Sequence, residues 1–191
     1  MNQKFDYLIK VISLGNYYSG KASLILRFVK DIFYNPISKD DFYIKCLDIN
    51  NKLIRVNIWT VFCSNKISKN YYYKSHGAII VYDITNLNSF DKAKYWIEQL
   101  KNNTKIENRF ILVGTKCDDE SNRKVKVEEG KKLADEYGIK FFACSAKNNI
   151  NVNEMFNSLL NDIVENLENE KYSTIKLRNK KDNLSYNKCA Q

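Results

Sequence analysis

The sequence lacks any apolar run near the length of a membrane-spanning helix, which is about 20 residues. Its first residues, Met1 to Lys4, also lack the apolar stretch of a secretory signal peptide. The five cysteines are odd in number, and no two have the CxxC spacing of a zinc knuckle. These absences predict a cytoplasmic or nuclear protein without a disulfide framework or a structural zinc site.

The charged residues are spread along most of the chain, although the formal net charge is +9. Most lysines alternate with acidic residues or asparagines, which is typical of a solvated surface and predicts no nucleic-acid partner. The exception is 171–191, with six basic residues and one acidic residue. We therefore expect a single domain over 1–168, followed by a flexible basic tail over 169–191. The tail either contacts anionic lipid or is simply solvated.

Strand-like and helix-like segments alternate along the chain. Apolar runs predict strands, and apolar residues at helical spacing predict helices. The predicted strands are 5–14, 42–49, 52–59, 77–83, 109–114 and 139–143, and the predicted helices are 20–31, 88–102, 127–137 and one beginning near Asn151. This order predicts an α/β fold with a six-stranded, mostly parallel sheet, one antiparallel hairpin at Asn50-Asn51 and about five helices. The loops 15–20, 115–119 and 144–148 would meet at one sheet edge.

The first of these loops matches the GxxxxGK pattern of a phosphate-binding loop. The candidate phosphate-binding residues are Gly15, Ser19, Gly20, Lys21, Ala22 and Ser23. An ordinary strand-to-helix turn is the alternative. The residue after the lysine is Ala22, where the pattern has a Ser or Thr whose hydroxyl binds Mg²⁺. Tyr17 and Tyr18 replace the small residues usual in such a loop, and they would crowd a terminal phosphate.

Two further motifs follow predicted strands, Thr115-Lys116-Cys117-Asp118 and Cys144-Ser145-Ala146-Lys147. With the phosphate loop, they resemble the [NT]KxD and SAK motifs of the small GTPases of the Ras superfamily. The resemblance covers about Tyr7 to Leu167, and segments such as AIIVYDIT at 78–85 look most like the Rab branch. It implies the P-loop NTPase fold, GTP or GDP as ligand, a role in vesicle trafficking on intracellular membranes, and Rab-type effectors or regulators as partners.

Guanine recognition has a chemical basis in these motifs. Guanine presents two adjacent N–H donors that one carboxylate accepts together, and Asp118 is the candidate. The resemblance implies that the Ala146 N–H donates to the guanine carbonyl and that the stems of Lys116 and Lys147 cover the base. Phe33 stands where the family packs an aromatic ring on the base, and a role in the core is an equal alternative. The remaining candidates for the base site are Thr115 and Ser145.

The resemblance fails where the family holds its metal and positions the attacking water. Against the family's W-D-T-A-G-Q, the aspartate aligns with Thr60 and the glutamine with Ser64. In the first switch, Ser38 is the only nearby hydroxyl that could replace the metal-binding threonine. With Ala22, these departures leave few oxygen ligands for Mg²⁺ and predict weak or absent hydrolysis.

Two functions remain open from the sequence. One is a divergent Rab-like GTPase that binds GTP and GDP with impaired hydrolysis. The other is a non-hydrolysing pseudo-GTPase scaffold that presents a Rab-like surface to partners. An unrelated P-loop kinase or ATPase explains the two base motifs poorly. Cys189 is a candidate for lipidation, although it lies one residue too close to the end for a CaaX motif.

Overall fold

The computed structural model describes residues 4–34, 42–61, 71, 73–104 and 109–186, with side chains described as far as Lys171. These residues form six strands, four α-helices and a short 3-10 helix. In chain order they are β1 (Tyr7–Leu14), α1 (Lys21–Lys30), β2 (Phe42–Ile49), β3 (Lys52–Thr60), β4 (Gly77–Asp83), α2 (Leu87–Asn103), β5 (Phe110–Thr115), the 3-10 helix (Glu120–Asn122), α3 (Val127–Tyr137), β6 (Lys140–Cys144) and α4 (Val152–Tyr186).

All six strands lie in one sheet, in the order β2-β3-β1-β4-β5-β6. Strands β1, β3, β4, β5 and β6 pair in parallel, and only β2 is antiparallel to its neighbour β3. The predicted α/β class, the strand count and the mostly parallel sheet are confirmed. Four α-helices lie within the described residues, against the approximately five predicted.

The β2–β3 hairpin turns at the predicted pair Asn50-Asn51. Both residues have positive φ, 52° and 60°, as a two-residue hairpin turn requires. The Asn51 N–H donates to Asp48 Oδ1 at 3.1 Å. Asparagine tolerates this conformation better than most residues, so the turn and the hairpin register follow directly from the local sequence.

Helices pack on both faces of the sheet at β4 and β5, which explains why these two strands are buried along their whole length. Every residue of β4 and β5 is buried. On one face α1 and α4 pack together, where Phe28 stacks on Phe156 with ring centroids 3.9 Å apart. On the other face α2 contributes Trp96 and α3 contributes Leu133. The stacking of Phe28 on Phe156 holds α1 beside the edge of the sheet where β5 and β6 end.

The three loops predicted to gather at one sheet edge do meet there. Thr115, the last residue of β5, donates its hydroxyl to the carbonyl of Ser19 at 2.7 Å. The Cys117 N–H donates to the carbonyl of Cys144 at 3.1 Å. Parallel strands bring their carboxyl ends to the same edge, so these contacts follow from the topology.

The last helix is longer than its buried face. The apolar residues on its core face are buried or half-buried, namely Met155, Phe156, Leu159, Leu160, Ile163 and Leu167. The backbone remains helical to Tyr186, across most of the segment for which the sequence predicts a flexible tail. No Gly or Pro interrupts 152–186, so nothing local ends the helix. No helix in the described part of the chain is both long and apolar enough to cross a bilayer.

Candidate functional site

The phosphate loop depends on glycine at two positions. Gly15 has φ +152°, and a Cβ there would lie 2.2 Å from the carbonyl oxygen of Val81. Gly20 has φ +85° and is the N-cap of α1, with no side-chain cap and no acidic residue in the first turn. The N–H groups of the first turn of α1 and the positive end of the helix dipole therefore favour an anion at this end.

Lys21 folds back into this loop and is almost completely buried, with 3% of its surface exposed. Its Nζ donates to the carbonyls of Gly15, at 2.8 Å, and Asn16, at 2.6 Å. Burial lowers the pKa of Lys21 from 10.5 to about 8. A phosphate bound in the loop would offset this desolvation, since a nearby opposite charge favours the ammonium form.

Thr115 connects the phosphate loop, residues 15–20, to the loop with the first base motif, residues 115–119, which we call the first base loop. Its side chain is buried, and the hydroxyl contacts the carbonyl oxygens of Ser19, at 2.7 Å, and Tyr82, at 3.0 Å. A Cβ on Gly20 would lie 3.2 Å from the Thr115 hydroxyl. The hydroxyl of Ser19 is buried and has no hydrogen-bond partner among the described residues. Thr115 therefore acts through the loop backbone, and a larger residue at Gly20 would push the two loops apart.

An ion pair joins Lys116 of the first base loop to Asp83, the last residue of β4. Lys116 has φ +60°, and its Nζ lies 2.5 Å from Asp83 Oδ2. The other oxygen of Asp83 accepts from the N–H of Thr85 at 2.9 Å and from its hydroxyl at 2.8 Å. Asp118 is half-buried, and its carboxylate makes no hydrogen bond or ion pair with any described residue. Both of its oxygens can therefore accept from a ligand.

The second base loop closes on itself between Ser145 and Ile150. Two backbone hydrogen bonds join these residues, at 3.1 and 2.9 Å, and the Ser145 hydroxyl accepts from the Asn148 N–H at 3.0 Å. The Ala146 N–H donates to no described residue. Lys147 is exposed. The Ala146 N–H and the Lys147 side chain are therefore both left without a hydrogen-bond partner in the described part of the chain.

Comparison with known proteins matches residues 10–165 to the Ras family. Ras-related protein Rab-13 of Bos taurus is 39% identical over 170 residues, covering 86% of this chain and 84% of that protein. Ras-related protein RABE1d of Arabidopsis thaliana is 38% identical, covering 85% and 79%. GTP-binding protein ypt2 of Schizosaccharomyces pombe is 36% identical, covering 84% of each chain. The chain belongs to the Ras family.

Within that family it is a small GTPase homologue of the Rab branch. Phe33 of this Rab-branch protein is 47% exposed, so it does not fill the core as the alternative for this residue required. It lies between Ile32 and Tyr34, which are also exposed, in the segment after α1. An exposed ring at this position is available to cover a flat ligand.

The positions that hold the metal in other small GTPases carry few oxygens here. Ala22 has no side-chain oxygen, and the hydroxyl of Ser23 donates to the carbonyl of Tyr34 at 3.4 Å. Thr60 ends β3, is fully buried and lies opposite Ser13 in the parallel pairing with β1. Other positions singled out from the sequence lie outside the described residues, namely Ser38, Ser64 and Cys189.

Two residues that organise the base loops were not predicted from the sequence. Asp83 holds Lys116 across 33 residues of chain, and Arg27 of α1 reaches Ala146 across 119. No spacing rule connects positions this far apart. The only local indication is that Asp83 is a charged residue at the end of an otherwise apolar strand, which is expensive to bury without a partner.

We expect Asp83→Asn to weaken the binding of GDP by about tenfold, because a charge-assisted contact to Lys116 contributes roughly 1.5 kcal/mol. An amide oxygen can still accept from Thr85, so the turn itself is retained. Isothermal titration of GDP into both proteins measures the change. Asp91→Asn removes one exposed carboxylate from α2 and serves as the control. Equal affinities for wild type and Asp83→Asn would contradict the role given to this pair.

Proposed function

We propose that the protein binds guanine nucleotide, GDP or GTP, as a divergent Rab-like small GTPase in vesicle trafficking. The observation that carries the proposal is the carboxylate of Asp118, which has no partner among the described residues and stands in the same loop cluster as the unused N–H of Ala146. These groups match the donor pair and the carbonyl of guanine. Adenine has no such pair of donors. The names of the relatives, which include a GTP-binding protein, support the same ligand.

In this proposal, each loop binds one part of the nucleotide. The α1 end binds the phosphates through the loop backbone, the first-turn N–H groups and the Lys21 ammonium. The base lies between the two base loops, with Phe33 at its edge. The assigned phosphate-binding residues are Gly15, Ser19, Gly20, Lys21, Ala22 and Ser23, and the assigned base-binding residues are Phe33, Thr115, Lys116, Asp118, Ser145, Ala146 and Lys147.

Hydrolysis is proposed to be weak or absent. Mg²⁺ prefers six oxygens in a tight octahedron. Ala22 at the start of α1 has no side-chain oxygen, and Thr60 at the end of β3 has a hydroxyl where the family has a carboxylate. Ser23, the next residue, carries a hydroxyl, but successive helical residues point about 100° apart. The metal-site positions within the described part of the chain therefore do not fit Mg²⁺. Ser64 replaces the water-orienting glutamine of the family, so no step of hydrolysis is assigned to a side chain.

The second candidate function is a non-hydrolysing scaffold, and the exposed sheet face at the β2–β3 hairpin favours it. Phe42 and Trp59 lie beside each other on that face, with ring centroids 4.6 Å apart, and Ile44 is 39% exposed. Tyr73 is 68% exposed. Large exposed apolar groups of this kind are typical of protein contact surfaces. We propose that Rab-type effectors or regulators contact this face, whether the protein is a GTPase or a non-hydrolysing scaffold.

The remaining parts of the proposal concern the chain ends and the location. We assign residues 1–168 to the nucleotide-binding domain, because Leu167 is the last of the described side chains that packs against its core. Residues 169–191 form a basic segment that would contact anionic membrane lipid, at about 1 kcal/mol per well-placed Lys or Arg. The protein would then act in the cytoplasm, peripherally on intracellular membranes, with Cys189 as a candidate for lipidation.

A titration of GDP, GTP and ATP, each with Mg²⁺ or with EDTA, tests the central claim. We expect GDP and GTP to raise the melting temperature and ATP to leave it unchanged. EDTA should change the affinity for GDP by less than about threefold, because few ligands for the metal are present. A single-turnover assay with bound GTP should give no measurable phosphate. If ATP stabilises as well as GTP does, guanine-nucleotide recognition is wrong.

A pair of variants at Ala22 separates the metal claim from the nucleotide claim. Ala22→Ser restores a hydroxyl at the start of α1, and Ala22→Cys has nearly the same size but offers sulfur, a poor ligand for Mg²⁺. We expect Mg²⁺ to increase the GDP affinity of Ala22→Ser by severalfold and to leave Ala22→Cys unchanged. A wild-type protein that loses GDP in EDTA would contradict metal-independent binding while leaving the nucleotide assignment intact.

A further inference from the structure

The guanidinium of Arg27 joins α1 to the second base loop. Its Nε donates to the carbonyl of Ala146 at 2.9 Å, and its Nη2 donates to the carbonyl of Lys147 at 3.4 Å. Its Nη1 donates to Asp31, to the carbonyl at 2.9 Å and to the side chain at 3.1 Å. One planar group thus holds two successive carbonyls of the loop and the C-cap of its own helix.

Arg27 is itself held in place. Its side chain is only 15% exposed, and Asp31 caps α1 by donating its N–H to the Arg27 carbonyl at 3.0 Å. The next residue, Phe28, stacks on Phe156 of α4. A planar guanidinium with several fixed hydrogen bonds has little freedom left to lose. The geometry of α1 is therefore transmitted directly to the loop.

Without Arg27 the loop would be connected only at its ends. The bonds between Ser145 and Ile150 and within the turn are internal to the loop. The Asn151 side chain donates to the Ala143 carbonyl, which fixes the point where α4 begins. Among the described residues, Arg27 makes the only hydrogen bonds that link Ala146 and Lys147 to another element. The orientation of the peptide that precedes Lys147, and of the Ala146 N–H beside it, therefore depends on this side chain.

We propose that Arg27 is a positioning residue for base recognition: it sets the Ala146 N–H toward the 6-carbonyl of the purine without contacting the nucleotide. This inference rests on the proposed function, since it assumes that the loop binds a guanine base. It also makes affinity sensitive to movement of α1. Helix α1 contacts both loops. Its N-cap, Gly20, belongs to the phosphate loop, and Arg27 in its last turn contacts the second base loop.

The test compares Arg27→Gln with Lys30→Gln, which removes the same charge from an exposed position of the same helical turn. The probes are GDP and IDP. Inosine keeps the 6-carbonyl but lacks the 2-amino group that Asp118 would accept. We expect Arg27→Gln to weaken both nucleotides by about tenfold, with the GDP-to-IDP ratio within about twofold of wild type. Lys30→Gln should leave both affinities unchanged.

A second readout does not need nucleotide. Hydrogen exchange of the free protein should be faster in the segment 145–150 of Arg27→Gln and unchanged in β5, because only the loop loses its outside support. GDP affinity within twofold of wild type would overturn the proposal. So would a changed GDP-to-IDP ratio, which would mean that Asp118 has moved too. If wild type binds no guanine nucleotide, the proposed function fails, and unaltered exchange at 145–150 would also remove the positioning role.

Discussion

Replacing Asp118 by asparagine is expected to weaken GDP binding by about two to three orders of magnitude. The carboxylate would accept two hydrogen bonds from guanine, and charge-assisted bonds contribute roughly 1.5–3 kcal/mol each. An amide offers one acceptor and places donors where the base also has donors. Titration of GDP into wild type and Asp118→Asn measures the loss, and the melting temperature of the free proteins should agree within a few degrees.

The same substitution should create a new preference. Xanthine carries a carbonyl in place of the 2-amino group of guanine, so the amide introduced by Asp118→Asn could donate where the carboxylate repels. We expect XDP to bind the variant more tightly than GDP does and to bind wild type poorly. Asp119→Asn is the control, because that carboxylate already accepts from Ser121 and Asn122 and is one residue away. If Asp119→Asn loses GDP as strongly as Asp118→Asn, base recognition is assigned to the wrong carboxylate.

Lys21→Met should also reduce GDP affinity by two to three orders of magnitude, since it removes the one buried cation of the phosphate loop, at about 3–4 kcal/mol. Unlike most substitutions of a buried residue, it should not destabilise the free protein at pH 7, because we expect the removal of a buried charge to outweigh the loss of a donor to the carbonyls of Gly15 and Asn16. Burial lowers the Lys21 pKa from 10.5 to about 8, so the folded protein holds this charge at a cost on the order of 3 kcal/mol. An unbranched thioether of similar length needs no such hydration.

The same pKa shift predicts how the stability difference between Lys21→Met and wild type changes with pH. The folded pKa of Lys21 lies below the unfolded value, so the unfolded chain binds the proton more tightly between pH 8 and 10.5. The free energy of unfolding contributed by this group therefore rises as the pH increases through that window, and the full penalty remains below pH 8. Urea unfolding at pH 7 and pH 9.5 should show a stability advantage of Lys21→Met over wild type that shrinks with pH.

Lys30→Met provides the matched comparison, because Lys30 is exposed at the other end of α1. Its stability difference from wild type should be small and should not change between the two pH values. A free Lys21→Met protein that unfolds at lower urea concentration than wild type at pH 7 would show that the ammonium stabilises the loop even without a phosphate.

Much of the fold was predictable because its signals are local. Apolar runs located the ends of every strand to within about two residues, and Asn50-Asn51 identified the hairpin turn. Flanking glycines and Lys21 marked the candidate phosphate loop. The end of α4 was harder to predict from the sequence, because a helix end needs a local stop signal and 152–186 contains neither Gly nor Pro.

The sequence by itself determined the α/β fold, and it named a candidate phosphate loop and two candidate base-reading groups, Asp118 and Ala146. These follow from residue type and from short spacings, which act within a few residues of chain. Only the tertiary structure decided how those groups are held. Asp83 holds Lys116 and Arg27 holds the Ala146 loop, across 33 and 119 residues. Such partners meet only after parallel strands bring their loops to one edge, so no local pattern records them.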